Sequence, residues 1–163
     1  MRTKIVDENL IIHTVPLVKV HVGQIGLYLD IFFDKEYAEV EKLVEIFPIK
    51  LRLKWKMGDK RPKKEVSYDQ TYFNGRYKMQ EDCKTLSEAI ELFLSPIMDN
   101  KSEITSFLTE KGARTHLYVY LNEVDRCFSL ELDEDVMEIL RVLNCGVYFD
   151  PSYAEFVDYE IED

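Results

Sequence analysis

The chain has 163 residues, 46% of them apolar, and a formal net charge of −10 from 31 acidic and 21 basic side chains. That length suits one ordinary core and is short for two independent domains, while the negative balance disfavours broad contact with polyanions. No stretch approaches the about 18 consecutive apolar residues of a membrane span, and Asp7 and Glu8 interrupt "MRTKIVDENLIIHTVPLVKV" before a signal-length apolar run, so the expectation is one cytoplasmic domain with no membrane contact.

In chain order, Val18, Val20 and Val22 alternate with Lys19 and His21 at the period of a half-buried strand. Gly23 and Gly26 bracket a turn, and "LYLDIFF" puts Leu27, Leu29, Ile31 and Phe33 on one face of a second strand, so 17–33 is predicted as a hairpin. Asp34 is placed to cap a helix over "KEYAEVEKLVEIF", where Tyr37, Val40, Leu43 and Val44 recur at helical spacing; Pro48 ends it. Residues 49–57 alternate again, with Ile49, Leu51, Leu53, Trp55 and Met57 toward the core and Lys50, Arg52, Lys54 and Lys56 toward solvent. Gly58 and Asp59 supply a reversal and Pro62 excludes a continued ladder. "YDQTYFNGRYKMQ" is predicted as an aromatic strand pair or bent strand, broken at the hairpin dipeptide Asn74-Gly75.

Thr85 with Glu88 forms a capping box for "LSEAIELFLSPIM", and Asn100 with Glu103 an analogous start for "KSEITSFLTEK", which Gly112 terminates. "THLYVYL", "RCFSLEL", a helix "EDVMEILRVLN" capped by Asp133, and "GVYFD" follow. A shift of 99 residues superimposes Val18, Val20 and Val22 on Leu117, Val119 and Leu121, then Leu29, Ile31 and Phe33 on Phe128, Leu130 and Leu132, then Asp34 on Asp133. Two pseudo-repeat halves, 17–57 and 115–150, each strand, strand, helix, strand, are therefore expected, linked by 58–114 and its helix pair and followed by an acidic tail, 151–163. A helix between such strands buries its apolar stripe on the sheet, so the expected class is α+β: antiparallel-rich sheet with helices packed on it.

"KLRLKWKMGDKRPKK", residues 50–64, carries eight basic residues and one acid; its +7 leaves −17 on the rest of the chain. It reads as a solvated strand face followed by a charged turn. The competing reading is an anion contact through Lys54, Lys56, Lys60, Arg61, Lys63 and Lys64, with Trp55, Tyr68, Tyr72, Phe73 and Tyr77 as stacking partners. Against it, alternation sets Trp55 opposite the lysines. The tail offers Tyr153, Glu155, Phe156, Asp158, Tyr159 and Glu160 as a surface for a basic protein, its rings as anchors and its carboxylates as steering charge, against a merely solubilising terminus. His13, His21 and His116 share no metal-ligand spacing with each other or with Cys83, Cys127 and Cys145, which read as reduced thiols. No GxSxG, HExxH, CxxC or Gly-rich phosphate loop occurs, so no catalytic residue, metal or cofactor is implied.

The helix ending "EIFPIKL", the turn "KMGDKRP", an aromatic strand, the helix "LSEAIELFLSPI", the strands "HLYVYL" and "CFSLEL", and "EDVMEILRVLNCGVYFDPSY" with its closing Asp-x-x-Tyr come in the order of a bacterial family. Over about residues 18–153 the chain resembles domain of unknown function 4279. It departs from that family's pattern at Phe47, before Pro48, where a small or aliphatic residue is usual, and at Tyr72 or Phe73, where the aromatic strand usually opens with Trp. The family has no established catalytic residues, and its neighbours among toxin, immunity and phage-conflict genes imply a role in such conflicts. The resulting expectation is a non-enzymatic factor that binds and blocks another protein, a basic toxin being the partner the acidic charge suits. A nucleic-acid or phosphate-ligand module using the 50–64 ribbon is the alternative, and a homodimer is a further partner reading.

Overall fold

A computed structural model of the chain describes residues 25–78, 85–121 and 131–150. Among the described residues, five strands form one sheet: β1 (Ile25–Phe33), β2 (Leu51–Trp55), β3 (Thr71–Lys78), β4 (Arg114–Leu121) and β5 (Cys145–Asp150). Their order across the sheet is β2-β3-β1-β4-β5, antiparallel throughout except for the parallel pair β4 and β5. The fold is α+β with a mostly antiparallel mixed sheet. Strands from both pseudo-repeat halves lie in this one sheet, with β2 and β5 at its two ends. The predicted strand at 17–22, most of "RCFSLEL" and the whole tail lie outside the described residues.

Period-2 alternation gives the sheet two unlike faces. Leu27, Leu29, Ile31 and Phe33 of β1, Phe73 of β3, and Leu117 and Val119 of β4 point to one side and are fully buried. Over them pack α1 (Tyr37–Val40), α2 (Leu43–Ile46), α3 (Leu86–Leu94), a 3-10 segment (Ser95–Asn100), α4 (Lys101–Lys111) and α5 (Glu134–Val142), which contribute to the same apolar cluster. Each such Leu, Ile or Phe contributes about 1.5–3 kcal/mol by leaving water, so this face carries most of the fold's driving force.

Several local signals form as the sequence predicts. The Thr85 hydroxyl accepts from the Glu88 N–H and the Glu88 carboxylate accepts from the Thr85 N–H, completing the box on α3. Asp133 Oδ1 accepts from the Val136 N–H at the start of α5. Gly112 closes α4 in the left-handed region (φ 67°), which costs glycine least. Phe47 is extended ahead of Pro48, as the proline ring requires.

Other expectations need correction. Asn74-Gly75 makes no turn: β3 runs straight through it, because Gly75 faces the helices and a Cβ there would lie 3.2 Å from Leu51 Cδ2 and 3.5 Å from Phe93 Cζ. The helix predicted from Lys35 is instead two single turns, α1 and α2, and Val44 is exposed while Ile46 is buried. Asp34 does not cap it; Glu36 holds the N-cap position without a side-chain bond, and the Asp34 carboxylate pairs with Arg114 at 2.6 Å. Asn100 likewise makes no side-chain cap on α4, since the 3-10 segment already leads the chain in, and Glu103 reaches Lys42 at 2.9 Å instead. Leu53 and Met57, predicted inward, are exposed near the sheet's end. Trp55 also leaves the core face: the β2–β3 register slips between Leu53 and Trp55, and this bulge sets Trp55 against Tyr72 on the opposite side.

Candidate functional site

The side of the sheet away from the helices is organised by register into rows. Arg52, Asn74, Asp30, His116 and Gly146 lie opposite one another across the strands β2, β3, β1, β4 and β5. One row along, Trp55, Tyr72 and Phe32 align; on the other side Arg76, Tyr28, Tyr118 and Tyr148 do. A polar row thus runs between two aromatic ones.

The rings touch in an unbroken path. Tyr68, from the loop between β2 and β3, stacks on Trp55 (4.3 Å between centroids, 11° between planes), Trp55 meets Tyr72 at 4.5 Å, and Tyr72 stacks on Phe32 (4.5 Å, 9°). Phe32 meets His116 at 5.8 Å, His116 meets Tyr148 at 5.0 Å, and Tyr148 stacks on Tyr118 at 5.1 Å. Tyr118 reaches Tyr120 at 6.3 Å, and Tyr120 reaches Tyr28 edge-on at 5.0 Å. A guanidinium closes each end: Arg61 over Tyr68 at 5.0 Å and Arg76 over Tyr28 at 5.1 Å. Such offset and edge-on pairs each add about 0.5–1.5 kcal/mol to area burial, so the strip is preorganised. Gly146 makes room for one member, since a Cβ there would lie 3.3 Å from the Tyr148 ring, which is itself 47% exposed.

Beneath the rings, Asp30 is only 9% exposed. Its Oδ1 accepts from the Tyr72 hydroxyl at 2.8 Å and from Asn74 Nδ2, and Asn74 Oδ1 in turn accepts from Arg76 Nε at 2.9 Å. This chain of bonds fixes Tyr72 and Arg76 in place. Burial, then the bond to Asp30, pushes the Tyr72 hydroxyl well above its ordinary 10.0, so it stays a donor. Desolvation against the sheet, followed by the charges of Arg76 and Arg52, lowers the Lys54 ammonium from its ordinary range, while Asp30 works the other way. Arg52, Lys54 and Arg76 therefore form a cationic border along the β2 and β3 side of the strip. Trp55 Nε1 and His116 Nδ1 are buried without a hydrogen-bond partner among the described residues.

The basic ribbon does not form one surface. Lys54 and Arg61 border the ring strip, whereas Lys56 lies over Tyr37, on the helix side, at 4.5 Å. Lys60, Lys63 and Lys64 project from the loop, whose Lys60–Ser67 bridge and Arg61–Asp69 contact (3.6 Å) are internal to it. Phe73 and Tyr77, grouped with Trp55 by sequence proximity, face the helices. Tyr153, Glu155, Phe156, Asp158, Tyr159 and Glu160 lie outside the described residues. The sequence reading missed Asp30, Asn74, Arg76 and most of the strip. A usable signal was present: the positions of "LYLDIFF", "THLYVYL" and "GVYFD" that alternate with the core-facing ones carry Tyr28, Phe32, Tyr118, Tyr120 and Tyr148.

Among the described residues no group of three or more His, Cys, Asp or Glu side chains is placed to hold a metal ion, and no helix is long and apolar enough to cross a membrane. Cys145 is partly buried on the core side, and burial pushes its thiol up to about 12, which suppresses the reactive thiolate. No family model, curated protein or solved structure matches the chain.

Proposed function

We propose that this chain is a non-enzymatic protein-binding factor that holds a partner against the open face of its sheet, blocking it in the manner of an immunity or anti-toxin protein. The observation that carries this reading is the continuous ring strip between Arg61 and Arg76 on a face no described helix covers. Tyr, Trp and Arg dominate the energetics of protein interfaces, because each brings a large, stiff contact area with a polar tip. The resemblance to domain of unknown function 4279 and its conflict-gene neighbourhoods supports the class of partner. A basic toxin would be drawn by the acidic helix faces, while the cationic border at Arg52, Lys54 and Arg76 selects a partner surface that offers acceptors to the strip.

The purified chain and the product of its neighbouring gene should co-elute, and replacing Tyr118 and Tyr148 by alanine should cost the complex at least about tenfold in affinity. Absence of a complex, together with no protection of cells expressing that product, defeats the reading. One observation favours a second reading: the same cations flank stacking rings, the arrangement that binds single-stranded nucleic acid. Fluorescence polarisation with labelled RNA and DNA decides it, since the nucleic-acid reading requires binding that weakens steeply with salt and disappears when Arg52, Lys54 and Arg76 are neutralised.

A further inference from the structure

We infer that the open ring face is a docking site for an acidic, ring-bearing extended segment, and that in the free protein its occupant is the chain's own residues 151–163. The inference rests on the proposed role of this face in binding and names the chemistry it accepts.

Three observations point to that occupant. Among the described residues the face supplies donors in excess of acceptors: Arg52, Lys54 and Arg76 stand beside the carboxylate Asp30, which already accepts two bonds, Asp69 approaches Arg61 only at 3.6 Å, and Trp55 Nε1–H and Arg61 Nε–H have no acceptor. Residues 151–163 are the complement, with five carboxylates, no basic residue, and rings at Tyr153, Phe156 and Tyr159. Other segments outside the described residues do not match: 1–24 carries three basic and two acidic residues, 79–84 carries two acidic and one basic with no ring, and 122–130 carries two acidic and one basic with a single ring. The geometry of attachment also suits. Residue 150 ends β5 in register with Tyr120, beside the Tyr28, Tyr118 and Tyr148 cluster, and the cations lie on the far side of the sheet. Crossing five strands takes about 19 Å at strand spacing, and thirteen residues span about 43 Å when extended, so the segment reaches Arg52 and Lys54 with chain to spare. Covalent attachment raises its local concentration at the face, so modest contacts suffice.

Trp55 is the chain's single tryptophan and sits at the cationic end of the strip, which makes its fluorescence a direct reporter. The test compares acrylamide quenching of Trp55 in the full chain with two full-length variants, Glu155→Gln/Asp158→Asn/Glu160→Gln and Tyr153→Ala/Phe156→Ala/Tyr159→Ala. Both should raise the quenching constant toward that of free tryptophan. A synthetic peptide of residues 151–163 added to the ring-deleted variant should restore protection, less so at high salt, and not when Arg52 and Lys54 are also replaced by serine. Quenching unchanged in both variants overturns the inference, as does protection that grows with protein concentration, which assigns the face to a second copy. The outcome is separable from that of the proposed function. If tail variants leave Trp55 unaltered while Tyr118→Ala/Tyr148→Ala still abolishes partner binding, only the tail is wrong; if the tail protects Trp55 and partner binding ignores those tyrosines, only the partner reading is wrong.

Discussion

One strand, β1, serves two surfaces whose chemistry has little in common. Leu27, Leu29, Ile31 and Phe33 meet helices and are fully buried, and nothing polar interrupts them. Tyr28, Asp30 and Phe32, interleaved with them, meet rings from β3 and β4, a tyrosine hydroxyl, the Asn74 amide and the Arg76 guanidinium. The helix-covered face is held by removal of apolar area from water and by close packing, to which Gly75 contributes by admitting Leu51. The open face is held by ring contacts and a short hydrogen-bond chain, and its outer edges remain available. The apolar core and the exposed ring strip are thereby divided between the two sides of a single sheet.

That division breaks most visibly at β1. Leu29→Ala, on the helix side, should lower unfolding free energy by about 2–5 kcal/mol, read as a reduced urea midpoint, because the cavity left behind cannot collapse against the sheet. On the open side Asp30→Ala should cost less, about 1–3 kcal/mol, by leaving the Tyr72 hydroxyl and Asn74 amide without their acceptor. It should also release Arg76 from its place over Tyr28.

The two faces also differ in their response to pH, since each buries an acid whose proton the fold holds. A raised folded-state value means that the native protein binds the proton more tightly than the unfolded chain, so stability is intact below the ordinary value and falls as pH rises above it. For Cys145 the loss should begin near pH 9.0 and continue to about 12, and for Tyr72 it should begin above 10.0. Urea midpoints measured through this range should flatten at the lower end in Cys145→Ala and at the upper end in Tyr72→Phe. A slope unchanged in both variants contradicts the burial of these groups. The smallest stability effect belongs to Tyr148→Ala, within about 1 kcal/mol for so exposed a ring; its effect should instead show in partner affinity, and a stability loss as large as that of Leu29→Ala would erase the distinction between the faces.

How much of this was legible in the sequence follows from what each signal encodes. Caps are largely local: the reach from Thr85 to Glu88 or from Asp133 to Val136 is set by one helical turn and is legible in the spacing, whereas Asn100 with Glu103 has the same spacing and makes no cap because a 3-10 segment leads into that helix. Alternation is local too, and it correctly separated Leu29, Ile31 and Phe33 from their neighbours. It cannot say what covers either side, because a period of two sorts residues into faces without naming which face meets a helix. The ribbon at 50–64 shows the limit most clearly, since a single bulge after Leu53 turned Trp55 from core residue to the reporter of the open face, and a bulge is decided by pairing with β3.

Local signals in the sequence were enough for the alternation of β1, the caps at Thr85 and Asp133, the αL stop at Gly112 and the α+β class, all consequences of contacts within a few residues. Only the tertiary structure decided that Asn74-Gly75 would lie inside a strand, that Trp55 would cross to the other side, and that Asp30 would be buried under rings from β3 and β4. Those outcomes depend on residues that lie well beyond one local element in sequence, from Trp55 and Tyr72 to Asp30 and His116, meeting across the sheet, where close approach, ring stacking and hydrogen-bond satisfaction outweigh local preference.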